Sequence, residues 1–193
     1  MTMQCLEGPG NFHHHYPRLA LIVTCHARGK DNAMAVAWHS SISFNPPLFG
    51  VSIAPKRYTY ELILEAGEFA VNFMPLEKAE LVAAVGGSLG RKVDKFAKFH
   101  LAKEKPLKTS APILKDAYAA YECKLYDHHT CGDHEWFIGE IVATHFDETR
   151  FTPAGILDLG KVKPALFIGG ELYVTTDPAS VRHLERSEYG KGL

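Results

Sequence analysis

The chain is poor in cysteine, and its four (Cys5, Cys25, Cys123, Cys131) form no CxxC pair. A disulfide framework or a thiol-rich structural zinc site therefore lacks material, and all four are expected to be reduced core or surface thiols. No stretch of 18 apolar residues occurs, and Met1 to Gly10 has no basic segment leading into an apolar one. The expectation is a soluble, cytoplasmic protein that touches no membrane. Charge of one sign is also lacking: Lys+Arg 21 against Asp+Glu 22 leaves a formal net charge of −1. No global field exists to hold nucleic acid. There is no GxxxxGK(S/T), and the cluster Gly86-Gly87-Ser88-Leu89-Gly90-Arg91 follows a helical pattern, whereas a Rossmann fingerprint follows a strand. No GxSxG elbow focuses a hydrolase triad. Neither a repeat nor a Pro/Gly/Ser-rich linker divides the 193 residues, so residues 1–193 read as a single domain.

What is present is a well-stocked globular composition, 46% hydrophobic and 22% charged. At this length roughly 70% of the unfolded surface can be buried, so any cofactor is free to be functional instead of structural. Apolar and β-branched runs at Leu19–Cys25, Ala33–Ser40, Leu48–Ala54 and Phe69–Met74 predict strands. Thr59 to Gly67 has a Thr at the N-cap, an acidic first turn and a Gly stop, and predicts a two-turn helix. A second short helix is expected over Glu77–Val85, ending at Gly86-Gly87. Strand patterns return over Tyr118–Tyr126, Trp136–Phe146, Ala165–Ile168 and Glu171–Val174, the last two joined by Gly169-Gly170 as a two-residue hairpin turn. The sum is mainly antiparallel β with a few short peripheral helices, most economically a closed or nearly closed barrel.

The densest polar cluster is His128-His129-Thr130-Cys131-Gly132-Asp133-His134, expected in a loop between two strands. His and Cys in that number raise a metal-binding protein as one function class, a sensor or chaperone without redox turnover. Against it, the spacing i, i+3, i+6 matches no common structural site, and no second Cys pair completes four ligands, so no metal is assigned. The alternative is a polar hairpin in which Asp133 caps the turn and the histidines face water.

From Asn32 to Thr59 the order of residues points further. Asn32, Trp38, Ser43 and Pro46-Pro47-Leu48 are followed by Pro55-Lys56-Arg57-Tyr58-Thr59 before a helix, and then by Glu68-Phe69-Ala70-Val71-Asn72. Gly90-Arg91-Lys92-Val93-Asp94-Lys95-Phe96 comes next, then Glu122-Cys123 with Gly132-Asp133-His134 and Ile138-Gly139-Glu140. No one motif is specific, but the ordered set, over about residues 17 to 170, resembles the flavin reductase-like family of FMN-binding split barrels.

The resemblance implies an FMN-binding split β-barrel, FMN held non-covalently at the interface of a homodimer, and NAD(P)H as a transient co-substrate. Hydride would pass from nicotinamide C4 to flavin N5, and electrons onward to free flavin, a ferric chelate, oxygen or a protein. A flavoredoxin-like FMN carrier without NAD(P)H oxidation of its own is the nearest alternative.

Arg57 and Thr59 flank a helix start, where a guanidinium, a hydroxyl and backbone N–H groups can converge on a phosphate. The same residues also suit a solvated charge and a plain N-cap. Asn32, Trp38, Ser41 and Ser43, on a strand and its following turn, can face a flavin ring, although Trp38 equally suits a core or interface position. In the family a basic residue of the Gly90–Phe96 loop reaches the FMN, and of Lys92 and Lys95 the latter is preferred. His134 is the candidate catalytic residue, placed by Gly132 and oriented by Asp133, with a purely structural loop histidine as the competing reading. The His13-His14-His15 run and Arg182–Leu193 lie outside the resemblance and are expected to have no catalytic role.

Overall fold

The computed structural model describes residues 3–190. The last residues of the C-terminal run Arg182–Leu193 thus lie outside the described residues, as do Met1 and Thr2. The strands are β1 (Arg18–Leu19), β2 (Leu21–Ala27), β3 (Lys30–Val36), β4 (His39–Phe44), β5 (Pro47–Ile53), β6 (Glu68–Phe73), β7 (Lys103–Glu104), β8 (Ile113–Leu114), β9 (Ala119–Cys131), β10 (His134–Phe146), β11 (Leu166–Gly169) and β12 (Leu172–Val174). The helices are α1 (Tyr58–Ala66), α2 (Ala79–Gly86), α3 (Lys95–Lys98) and α4 (Arg186–Tyr189). No helix among the described residues is long and apolar enough to cross a membrane.

One seven-stranded antiparallel sheet, ordered β3-β2-β6-β9-β10-β5-β4, forms the body. Its two end strands do not pair with each other, so the barrel stays open between β3 and β4. Small sheets β1-β11-β12 and β7-β8 lie beside it. Strand β2 is apolar on both faces because both are covered. Leu21, Val23 and Cys25 join the barrel interior with Phe69, Val71 and Phe137, while Ile22 packs with Ala33, Val82 and Val85 beneath α2. Burial at this density pushes the thiols of Cys25 and Cys123 up to about 12, which keeps them inert.

Several residues of the recognised stretches turn out to fasten the scaffold. Glu122 is fully buried and accepts from the backbone N–H groups of Leu107 (2.6 Å), Lys108 (2.8 Å) and Thr109 (2.7 Å), and bonds His145 Nε2 at 2.6 Å. Burial pushes its carboxyl up, but the His145 bond, with the Leu107 and Lys108 N–H groups and the Thr109 hydroxyl, outweighs burial and holds it at about 2. Glu68 takes Ser110 N–H at 2.6 Å, and Asn72 accepts Leu114 N–H at 2.8 Å while donating to the Ile22 carbonyl. Together these three side chains pin residues 107–114 across the barrel wall.

The expected elements are present, with four local corrections. The run Ala33–Ser40 is not one strand: β3 ends at Val36, and β4 starts at His39 and runs through the expected Ser41–Ser43 turn. The break at Ala37-Trp38 is fixed from outside the run, because the Trp38 carbonyl accepts Ser52 N–H at 2.9 Å and its Nε1 donates to the Tyr16 hydroxyl at 2.9 Å. The N-cap of α1 is Arg57 and not Thr59, which lies inside the helix with its hydroxyl engaged elsewhere. The His128–His134 loop is instead the tip of the β9–β10 hairpin, turned by Gly132-Asp133 alone, with cross-strand pairing continuing to Cys131 opposite His134. Finally, Gly169-Gly170 is not the turn. Gly170 and Glu171 are, both at positive φ (56° and 64°), as a type I′ hairpin requires.

Candidate functional site

The open side of the barrel holds two adjacent cavities along β3. The smaller, about 200 Å³, lies between β3, the start of α1 and the segment from Val85 to Lys95. Lys56, Arg57, Arg91, Lys92 and Lys95 all line it, and no carboxylate does. Arg91 is neutralised by Glu61 and lies over the Tyr58 ring, 5.1 Å from its centroid. Among the described residues Lys56, Arg57, Lys92 and Lys95 make no ion pair.

Lys95 is only 5% exposed, and its Nζ donates to the Val85 carbonyl at 2.8 Å. Burial first, then the adjacent Arg57 charge, pushes its ammonium down to about 8. A buried cation facing a second cation with no acid between them is costly unless an anion completes the set. Backbone supplies further donors. No side chain caps α1, so the Tyr58 and Thr59 N–H groups have no intrahelical partner. Asn32 Nδ2 donates to Thr59 Oγ1 at 2.8 Å, leaving the hydroxyl proton of Thr59 available. Gly90 permits the close fit, since a Cβ there would stand 2.3 Å from Asn32 Oδ1. The donor set fits a phosphate monoester.

The larger cavity, about 680 Å³, shares Met34, Ala35 and Gly86 with the first. Its walls are aromatic, formed by Tyr16, Trp38, His134, Phe167 and Tyr173, and its single charged lining residue is Glu171. The rings of Trp38 and His134 lie 4.9 Å apart. His134 Nδ1 is 2.7 Å from Asp133 Oδ1, and this bond holds the Asp133 carboxyl below its usual range. A carboxylate only accepts, so Nδ1 carries the proton and Nε2 is left for the cavity.

The structure thus brings together Asn32, Arg57, Thr59 and Lys95 in the cationic cavity, and Trp38 with His134 in the aromatic one. Ser41 and Ser43 line neither; they sit on β4 opposite Phe49 and Leu48. The other hairpin histidines are spoken for separately: His128 bonds Glu135 at 2.5 Å, and His129 Nε2 lies 3.0 Å from Asp127. Among the described residues, no group of three His, Cys, Asp or Glu side chains gathers around one point. Tyr16, Gly86 and Glu171 line the site without having been expected there, and a role for the N-terminal stretch enters with Tyr16.

A sequence model described as "flavin reductase like domain" matches residues 13–175. The chain belongs to the flavin reductase-like family. The match starts ahead of residue 17 and takes in Tyr16, in keeping with that residue's place in the cavity wall. Among solved structures, an FMN-binding protein of Thermus thermophilus with bound 1-cyclohex-2-enone is 35% identical. The pair covers 95% of this chain and 100% of that one, with a TM-score of 0.85. The flavoredoxin of Desulfovibrio vulgaris (Miyazaki F) is 26% identical, with 98% and 100% covered and a TM-score of 0.85. An uncharacterized protein of Aeropyrum pernix is 34% identical over 158 residues, 80% of this chain and 58% of that protein's length. The open seven-stranded sheet is accordingly the split barrel of this flavin reductase-like family.

Proposed function

We propose that this chain binds FMN non-covalently and works as an oxidoreductase that takes hydride from NADH or NADPH and passes electrons to a flavin, ferric or protein acceptor. The observation that carries the reading is the carboxylate-free cationic cavity around buried Lys95, which shares Met34, Ala35 and Gly86 with the aromatic cavity of Trp38 and His134. Arg57, Lys95, the Thr59 hydroxyl and the first N–H groups of α1 are the proposed phosphate ligands. Asn32 orients the Thr59 hydroxyl, and Met34 and Ala35 line both cavities. Bound flavin supplies the two-electron chemistry. The chain's own part is to fix the ring beside Trp38, shield it from water with Tyr16, Phe167 and Tyr173, and present His134 Nε2 to the second reactant. Titrating the purified protein with FMN, followed by rapid mixing with NADH and NADPH, tests the reading; failure to bind FMN, or a bound flavin that neither nucleotide bleaches, overturns it.

The likeness to the Desulfovibrio flavoredoxin supports a second reading, an FMN electron carrier reduced by a partner protein. The mixing experiment separates the two, because a carrier binds FMN but stays oxidised with either nucleotide.

A homodimer is part of the proposal. Phe44 is 102% exposed and Ile42 43% exposed on the end strand β4. Beside them Trp136 lies flat on Gly50, where a Cβ would stand 2.3 Å from Cζ2. This apolar strip adjoins the aromatic cavity through Ser52 and is suited to burial against a second copy, which would also cover Ser41 and Ser43.

A further inference from the structure

The two cavities differ sharply in charge, and the aromatic one is shaped by residues the phosphate site does not need. Tyr16 comes from the N-terminal stretch. Its hydroxyl accepts from Trp38 Nε1 at 2.9 Å, its ring packs on Phe167 with centroids 5.9 Å apart, and the turn before it is closed by Tyr16 N–H to the His13 carbonyl at 3.1 Å. With its lone pair given to Trp38, the phenol keeps its own proton to donate. Phe12 braces Trp38 from the other side at 5.4 Å and adopts φ 57°, a left-handed conformation that a bulky residue rarely takes. Glu171 repeats the pattern: it stands at φ 64° in a type I′ turn where glycine or asparagine is favoured, and it is one of the residues lining the cavity. A non-glycine residue in this region costs about 1 kcal/mol or more.

We propose that Tyr16 and Glu171 are specificity-determining residues that restrict the second ligand of this cavity to planar conjugated rings that are neutral or cationic and carry a carbonyl oxygen. The inference rests on the FMN reading above and goes on to name the class of molecule that joins the flavin. The Tyr16 hydroxyl provides one donor, and Trp38 and His134, packed on each other at 4.9 Å, form the aromatic wall beside it. Glu171, with no Lys or Arg lining the cavity, repels an anion. Oxidised nicotinamide and uncharged quinone-like acceptors satisfy these conditions; anionic chelates of ferric iron do not, which confines the ferric acceptors proposed above to uncharged or cationic species.

Three probes of one size separate charge from shape: benzamide (neutral), 1-methylnicotinamide (cationic) and benzoate (anionic). Each is titrated into the oxidised, FMN-loaded protein, and binding is read from the perturbed flavin absorption and by calorimetry, without turnover. Benzamide and 1-methylnicotinamide are expected to bind, with benzoate weaker by about tenfold or more. Glu171→Gln should bring benzoate within roughly threefold of benzamide and weaken 1-methylnicotinamide, while leaving benzamide alone. Tyr16→Phe keeps the ring packing but removes the donor, and should weaken benzamide by roughly threefold to tenfold. Equal binding of the three probes, or an unchanged benzoate-to-benzamide ratio in Glu171→Gln, overturns the proposal. A protein that binds FMN but none of the probes also overturns it, whereas failure to bind FMN is the separate failure of the functional reading.

Discussion

Asn32 and Thr59, twenty-seven residues apart in sequence, meet across the cationic cavity through a 2.8 Å bond from Nδ2 to Oγ1. The bond ties the end strand β3 to the first turn of α1, where the proposed phosphate donors lie. Arg57, half a turn away, supplies the charge. Arg57→Ala should weaken FMN by about 1.5–3 kcal/mol, or roughly 10–150-fold. Riboflavin, which has no phosphate, should bind almost as before. The check is a parallel fluorescence titration with both ligands; equal loss for the two would move the phosphate elsewhere.

Lys95 gives a pH dependence whose sign differs between apo and loaded protein. Its folded pKa of about 8 lies below the ordinary lysine value of 10.5, so the unfolded chain binds the extra proton in that interval. Stability of the apoprotein from this group therefore rises as pH goes from about 8 toward 10.5. Phosphate binding requires the charged amine, so FMN affinity should fall over the same interval. Thermal denaturation and FMN titration at matched pH values check this, and Lys95→Met should remove both slopes.

His134→Ala should slow flavin reduction by NAD(P)H roughly tenfold to a hundredfold as a positioning loss, with FMN affinity and melting temperature nearly unchanged. Stopped-flow reduction under saturating FMN reads it. A wild-type rate, or a defect cured by excess FMN, would remove His134 from the site.

Glu122 sets the acid limit. Its folded carboxyl is held at about 2 against an ordinary glutamate value of 4.5, so its contribution is complete above about 4.5 and is lost as pH falls toward 2. Glu122→Gln leaves three backbone donors and His145 facing a poorer acceptor, and should cost roughly 3 kcal/mol at neutral pH. The variant should also flatten the acid side of the melting-temperature profile, as a calorimetric pH series would show.

The proposed homodimer should sediment as a dimer, and Phe44→Glu should convert it to monomer while leaving the barrel folded, because the side chain touches solvent and not the core. A wild-type sedimentation coefficient in this variant would place the interface on another face.

Sequence carried the barrel well where burial is one-sided or complete, as in β2, β5 and β6, since period and composition report burial directly. It failed where a segment's conformation is set by remote partners. Ala33–Ser40 reads as one strand because nothing local marks Trp38, whose break is imposed by Ser52 and Tyr16. The histidines of β9 and β10 read as loop because the hairpin tip projects beyond the core, leaving exposed strand residues with loop-like polarity. In the cavity, Arg57, Thr59 and Lys95 came to attention through ordered motifs, not through chemistry visible in isolation. Tyr16 and Glu171 gave no such signal, although an aromatic before Pro17 and a glutamate directly after two glycines were the available hints.

Strand β3 has one unpaired side. Its other side pairs with β2, and among the described residues no backbone or side-chain group takes up the N–H and C=O groups along the free side. A bare strand edge invites whatever presents alternating donors and acceptors. A heterocycle lying in the cleft with such an edge would serve as a surrogate eighth strand, finishing the sheet with a small molecule where other barrels use polypeptide. The same opening, left bare, is a seam at which two apoprotein molecules can zip together. Cofactor supply and resistance to aggregation would then be one and the same property of this barrel.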